Sequence, residues 1–128
     1  MSLKKIHDIL VIDDDPVLIK LLDEQLKKAG YAVTVAREAP LGLQFAMTND
    51  YDVIILDVMM PIINGYNICK LLKTQEHKKH TPIILLTSRD QREDVQIGMD
   101  MGANAYLTKP VNIDELLRAM ETVSQTHA

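Results

Sequence analysis

The chain has a single cysteine, Cys69, in 128 residues. That excludes an intrachain disulfide framework and fits a reducing compartment. No apolar run approaches the roughly 18 residues that a membrane helix needs. The opening Met1-Ser2-Leu3-Lys4-Lys5 lacks the apolar stretch of a secretory signal. A cytoplasmic location is therefore expected, with no membrane partner. Positive charge is also scarce: the net charge is −4 at pH 7, which offers no electrostatic footprint for direct nucleic-acid binding. The densest basic stretch, Lys70, Lys73, Lys78 and Lys79 with His77 and His80, reads as a solvated helix end and loop. The two histidines have ligand-like spacing, but no cysteine or acidic residue accompanies them in a convincing ligand pattern. No Gly-x-Gly-x-x-Gly or Gly-Lys-Ser/Thr segment is present to cradle phosphates.

What is present is an ordinary globular composition, 47% hydrophobic and 25% charged, in a length that suits one domain. The reading is a single domain over 1–128 with a core of about residues 7–124. Residues 1–3 read as a leader, and the segment after 124 as a tail or the start of a linker. Short apolar runs alternate with stretches of helical period. Ile9-Leu-Val-Ile12 stops at three aspartates, Val53-Ile-Ile-Leu56 at Asp57, and Ile83-Ile-Leu-Leu86 at Thr87. Each reads as a strand buried on both faces of a parallel sheet. Tyr31–Val35 and Ala105–Leu107 are the weaker candidates for two more strands.

Helical patterns fill the intervals. Pro16–Ala29 places Val17, Leu18, Leu21, Leu22 and Leu26 near one face and is stopped by Gly30. Pro40–Met47, Asn67–Lys73, Gln91–Met101 and Ile113–Val123 follow, the last with Asn112 and Glu115 spaced as a capping box. Five strand-helix units without repeats call for a doubly wound α/β sandwich with a five-stranded parallel sheet and five helices.

In such folds ligands bind beyond the carboxyl ends of the strands. Those ends carry Asp13, Asp14 and Asp15 after the first strand, Asp57 after the third, Thr87 and Ser88 after the fourth, and Thr108, Lys109 and Pro110 after the fifth. Two carboxylates about 5.5 Å apart repel by roughly 3 kcal/mol at an effective dielectric near 20. A cation or a shifted pKa relieves that repulsion. An all-oxygen ligand set suits Mg²⁺, which binds one or two carboxylates and completes its shell with water and phosphate oxygens. The spacing lacks an EF-hand loop, which argues against Ca²⁺. A carboxylate, a metal, an ammonium (Lys109) and a hydroxyl (Thr87) together form a phosphoryl-transfer constellation.

Each element also has a plainer reading. Asp15 before Pro16 is a helix cap with proline at the first helical position. Thr87 alone is a turn residue, and Lys109 alone a surface charge. Cys69 reads as a packed core thiol, and Met99 and Met101 as helix packing.

Taken together, Ile9-Leu-Val-Ile-Asp-Asp-Asp-Pro16, Asp57-Val-Met-Met-Pro61 with Gly65, Pro82-Ile-Ile-Leu-Leu-Thr87-Ser88, and Gly102-Ala-Asn-Ala-Tyr-Leu-Thr-Lys-Pro110 resemble the receiver domain of two-component response regulators. The likeness runs from about residue 7 to 124. It implies a flavodoxin-like strand order, 2-1-3-4-5, and a signalling phosphoacceptor rather than an enzyme. Asp57 would take a phosphoryl group from a histidine kinase or a histidine phosphotransfer protein. Asp13, Asp14, Asp57 and the Met59 main-chain carbonyl would hold Mg²⁺, which Mn²⁺ can replace, Asp13 acting through water. Thr87 and Lys109 would grip the phosphoryl group. Tyr106 would be an aromatic switch following Thr87, altering the face built from the fourth helix, fifth strand and fifth helix. The plainer reading of Tyr106 is a partly buried strand tyrosine. The resemblance further implies a cis Lys109–Pro110 bond, a downstream protein or output domain as reader, and a phosphorylation-dependent homodimer. Met59 and Arg89 occupy positions that modulate water access to the phosphoryl group, and their bulk is expected to slow self-dephosphorylation.

The chain departs from the family at two points. Asn64 stands where Asp is common, suiting a turn or a helix start equally. Val111 stands where DNA-binding members often carry Phe. Competing readings are a phosphorylation-independent interaction module, an aspartyl-phosphate hydrolase using Asp13 and Asp15 as Asp-x-Asp, and a flavodoxin-like cofactor binder.

Overall fold

A computed structural model describes residues 6–88 and 95–125. Within them the elements alternate: β1 (Asp8–Ile12), α1 (Pro16–Lys28), β2 (Ala32–Ala36), α2 (Ala39–Thr48), β3 (Val53–Asp57), α3 (Gly65–Lys73), β4 (Ile83–Thr87), α4 (Val95–Asp100), β5 (Ala105–Thr108) and α5 (Ile113–Gln125). The strands form one parallel sheet in the order β2-β1-β3-β4-β5.

The period of two in a strand divides the apolar runs between two cores. Leu10, Ile12, Ile54, Leu56, Ile83 and Leu85 face one cluster, covered by α2 and α3 side chains such as Ala46, Ile68 and Leu72. Their neighbours Ile9, Val11, Val53, Ile55, Ile84 and Leu86 face the other, covered by Leu22 and Leu26 of α1 and Leu116 and Met120 of α5. Because both faces are covered, β3 and β4 are buried along their whole length. That explains why they read as unbroken apolar runs.

Local signals set the helix ends. Asp15 Oδ1 accepts from the Val17 and Leu18 amides at 3.0 and 3.4 Å, with Pro16 at the first helical position. At the other end of α1, Gly30 takes φ +101°, and the Gly30 and Tyr31 amides return to the Lys27 and Leu26 carbonyls. This is the double bond of a Schellman stop. Asn64 proves to be a helix start: its Oδ1 accepts from the Asn67 amide at 3.0 Å, and α3 begins at Gly65 rather than Asn67. Asn112 Oδ1 likewise accepts from the Glu115 amide at 3.0 Å. The fourth helix, expected over Gln91–Met101, is described from Val95; residues 89–94, including Arg89, lie outside the described residues.

The basic cluster needs correction. Lys78 is 4% exposed, and its ammonium donates to the Asn49 carbonyl and pairs with Asp50 at 3.0 Å. Lys73 is half-buried and donates to the carbonyls of Thr81 (2.7 Å) and Lys79 (3.3 Å) and to Asn104 Oδ1 (3.1 Å). These two lysines are internal ties between loops, not parts of a solvated surface. Burial pulls the Lys73 ammonium below the ordinary lysine range, the thiol of Cys69 opposing it only in part. Cys69 itself is fully buried, and burial pushes its thiol up to about 11. Met99 is 38% exposed, so it contributes less to helix packing than its pattern suggested. Among the described residues no helix is long and apolar enough to cross a membrane.

Candidate functional site: an acidic pocket at the carboxyl edge

Parallel pairing of β1 with β3, and of β3 with β4, brings the ends of these runs to one edge of the sheet. Asp13 follows β1, Asp57 closes β3, Thr87 closes β4 and Lys109 follows β5. Backbone bonds lock the ends in place: Asp13 N–H to Ala36 O (3.1 Å), Val58 N–H to Leu86 O (3.1 Å) and Lys109 N–H to Thr87 O (2.7 Å). The Lys109–Pro110 bond is cis.

Three carboxylates converge. Asp13, Asp14 and Asp57 each offer an oxygen within 4.8 Å of the other two. Asp13 is fully buried, Asp57 is 4% exposed, and Asp14 is exposed at the mouth. Among the described residues one cation answers them: Lys109 Nζ lies 3.1 Å from Asp13 Oδ2 and 3.2 Å from Asp57 Oδ1. Burial, then the neighbouring Asp13 carboxylate, pushes the Asp57 carboxyl up to about 6, against the opposing pull of Lys109 and the Met59 amide. Burial lowers the Lys109 ammonium, but the Asp13 and Asp57 carboxylates outweigh it and leave its pKa raised.

Asp13 Oδ1 accepts from the Asp15 amide at 2.9 Å, whereas its buried Oδ2 lacks an aligned donor despite the nearby ammonium. A buried carboxylate oxygen whose one nearby cation is shared with Asp57, facing two more carboxylates, is what a hard divalent cation can satisfy. Asp13, Asp14 and Asp57 therefore fit a metal of oxygen preference.

The β3–α3 loop shapes the rim. Met59 is 61% exposed, and its amide lies 3.4 Å from Asp57 Oδ1. Ile62 is 88% exposed and takes φ 75°, a left-handed backbone that a β-branched residue rarely adopts. A pocket of about 280 Å³ opens beside Asp14, lined also by Arg37, Met60 and Ile62. Sequence reasoning missed the contribution of Gly65. A Cβ there would lie 2.3 Å from the Asp57 carbonyl oxygen and 2.9 Å from Val58 Cα, so only glycine lets α3 start against the acid-bearing strand. Its position just after the Asn64 cap was the available signal.

Thr87 is buried at the end of β4, level with Thr108 of β5. Tyr106, in β5 opposite Leu85, is 45% exposed. Asp15 is engaged as a helix cap, which takes one carboxylate from the Asp-x-Asp of the hydrolase reading.

The family model of the response regulator receiver domain matches residues 9–121. The chain belongs to that family. Among curated relatives, the transcriptional regulatory protein HprR of Escherichia coli K12 is 40% identical over 121 residues, 94% of this chain and 53% of HprR. The response regulator ArlR of Staphylococcus haemolyticus is 37% identical over 116 residues, 91% of this chain and 52% of ArlR. The receiver thus spans about half the length of the curated relatives it matches. Among solved structures, the chemotaxis response regulator CheY4 of Vibrio cholerae superposes with a TM-score of 0.86 at 34% identity, covering 93% of this chain and 99% of that one. The receiver domain of the sensor histidine kinase PA1611 of Pseudomonas aeruginosa, solved with magnesium in its active-site cleft, gives 0.83 at 30% identity, covering 92% and 97%. The receiver's acidic cluster lies where the family reading expects a phosphoacceptor.

Proposed function

We propose that Asp57 is the phosphoacceptor of this receiver and that Asp13, Asp14 and the Met59 carbonyl join it in holding Mg²⁺. The observation that carries this reading is the pairing of Asp57 with Lys109 at 3.2 Å inside a pocket of three converging carboxylates. The magnesium in the PA1611 receiver's cleft supports the choice of ion. A bound divalent cation supplies charge neutralisation for the carboxylates and for the incoming phosphoryl oxygens.

The protein's own groups do the rest. An Asp57 oxygen attacks phosphorus in a phosphohistidine of a histidine kinase or phosphotransfer protein. The P–N bond breaks, and the histidine nitrogen keeps the electron pair and takes up a proton. Lys109 is already within reach of the charge that develops on the transferred group. The product carries up to about two negative charges and three acceptor oxygens. Thr87 rotates its hydroxyl toward them, and Tyr106, exposed at rest, follows inward. The α4–β5–α5 face then presents a different surface to an output domain, a separate protein or a second copy. The chain is a switch rather than an enzyme acting on other substrates. A cytoplasmic location suits a kinase-coupled switch of this kind.

Intact mass after incubation with acetyl phosphate and Mg²⁺ tests the proposal. One added phosphoryl group, absent in Asp57→Asn and absent with EDTA, is expected. No gain under any condition would favour the phosphorylation-independent module.

A further inference from the structure

The turn between α4 and β5 is held at the amino edge of the sheet, away from Asp57. Asn104 pairs with Ile83 there through both its main chain and its side chain. Its amide donates to Ile83 O at 2.9 Å, and its Oδ1 accepts from Ile83 N at 2.9 Å. The same Oδ1 accepts from Lys73 Nζ at 3.1 Å, and that ammonium also ties down Thr81 O and Lys79 O. All three protons of the Lys73 ammonium are therefore committed. Its stem is packed too: a Cβ on Gly102, which takes φ +104°, would lie 2.7 Å from Lys73 Cγ. One turn back along α3, the Cys69 thiol faces Met101 O at 3.7 Å.

α3 is anchored equally firmly at its other end. The Gly65 amide donates to Val58 O at 2.8 Å, with no room for a side chain against Asp57 O. Ile68, Cys69 and Leu72 are fully buried between these anchors. α3 is thus a brace between the phosphoacceptor loop and the carboxyl end of α4. α4 leaves Ile97 and Met99 exposed and packs at Gly98 against side chains alone, Leu85 of β4 and Tyr66 of α3, where a Cβ would lie 2.5 and 2.9 Å from their atoms. Thr87 lies four residues along β4 from Ile83, about 13 Å at the rise of a strand.

We propose that the Lys73–Asn104 clamp makes the carboxyl end of α4 a fixed pivot, so that a change at Asp57 and Thr87 reaches the signalling face as a rotation of α4 about that end. This device rests on the phosphoacceptor reading. A translation of the whole helix would have to strip the Asn104 and Lys73 hydrogen bonds together, leaving half-buried acceptors without donors. A rotation leaves them intact and displaces Ile97 and Met99.

Amide hydrogen exchange of the full chain, followed by NMR with and without Mg²⁺ and beryllofluoride, a phosphoryl mimic, tests this. In the wild type the Ile83 and Asn104 amides should stay within about twofold, while amides in 97–100 change by about tenfold or more. Lys73→Met should speed exchange at Ile83 and Asn104 by about tenfold and make both respond to beryllofluoride. Its beryllofluoride affinity should stay within about threefold of wild type, because Lys73 is not part of the acidic pocket. Binding accompanied by equal changes at Asn104 and at 97–100 in the wild type overturns the pivot alone. Exchange unaltered by Lys73→Met also overturns it. Absence of any beryllofluoride binding overturns the phosphoacceptor reading, and the pivot with it.

Discussion

Lys109 reaches across the end of an intervening strand to place its ammonium 3.2 Å from Asp57 Oδ1, although β3 and β5 are not neighbours in the sheet. The same ammonium is 3.1 Å from Asp13 Oδ2. Among the described residues this one cation offsets the mutual repulsion of the buried carboxylates, and it competes with any ion that enters. Lys109→Met should accordingly have two effects of opposite sign. Mg²⁺ should bind several-fold tighter, since a like charge has gone. Phosphorylation by acetyl phosphate at saturating Mg²⁺ should slow by about 10²-fold, the scale for losing one preorganised charge-stabilising group. Calorimetric titration and the rate of mass gain measure the two.

The raised Asp57 carboxyl makes stability depend on pH in an unusual direction. Unfolded, it loses its proton near 3.8; folded, near 6. Between those values the native state binds the extra proton, so raising the pH favours unfolding. The metal-free protein should lose about 3 kcal/mol from this group as pH rises from 4 past 6, an order-of-magnitude figure at ~1.4 kcal/mol per pH unit. Urea midpoints in EDTA at pH 5 and 7.5 should differ in that sense. Asp57→Asn should shrink the difference, and Mg²⁺ should shrink it in the wild type.

Gly65→Ala should harm fold and site together. The new methyl meets Asp57 O and Val58 Cα, backbone atoms that cannot swing aside. A cost of about 1–3 kcal/mol is expected from overpacking. A slower phosphorylation rate should accompany it, because the displaced atoms carry the acceptor. Denaturant unfolding and the rate of mass gain report the two losses.

Lys78→Met should separate the two properties. It leaves the Asn49 carbonyl without its ammonium donor at the amino edge of the sheet. Loss of a hydrogen bond made by a charged donor costs about 1.5–3 kcal/mol, and water reaching the exposed Asn49 puts the expected cost at the low end. The acidic pocket lies at the other edge, so the phosphorylation rate should match wild type in the same assay.

Much of the fold was legible because both faces of the sheet are covered. Burial on two sides turns β1, β3 and β4 into continuous apolar runs, and each run stops where a polar group is needed. Asp15-Pro16 and Gly30 marked the ends of α1 through local chemistry alone. The candidate site was legible for the same reason, since a parallel sheet delivers every strand end to one edge. Lys73 and Lys78 were misread as solvated because their acceptors come from other parts of the chain: Asn49, Thr81 and Asn104. Nothing in the local charge pattern distinguishes a lysine pointing outward from one that closes a loop. The burial of Asp13, against the exposure of Asp14 beside it, was equally invisible, for it depends on which way β1 turns its last side chains.

The most direct test of the central claim is to find which side chain carries the phosphoryl group. Borohydride reduction of the acetyl-phosphate-treated protein converts an acyl phosphate to homoserine, which peptide sequencing by mass spectrometry locates. Homoserine at position 57 alone is predicted. Homoserine at position 13, or none anywhere after a confirmed mass gain, would contradict the assignment of Asp57.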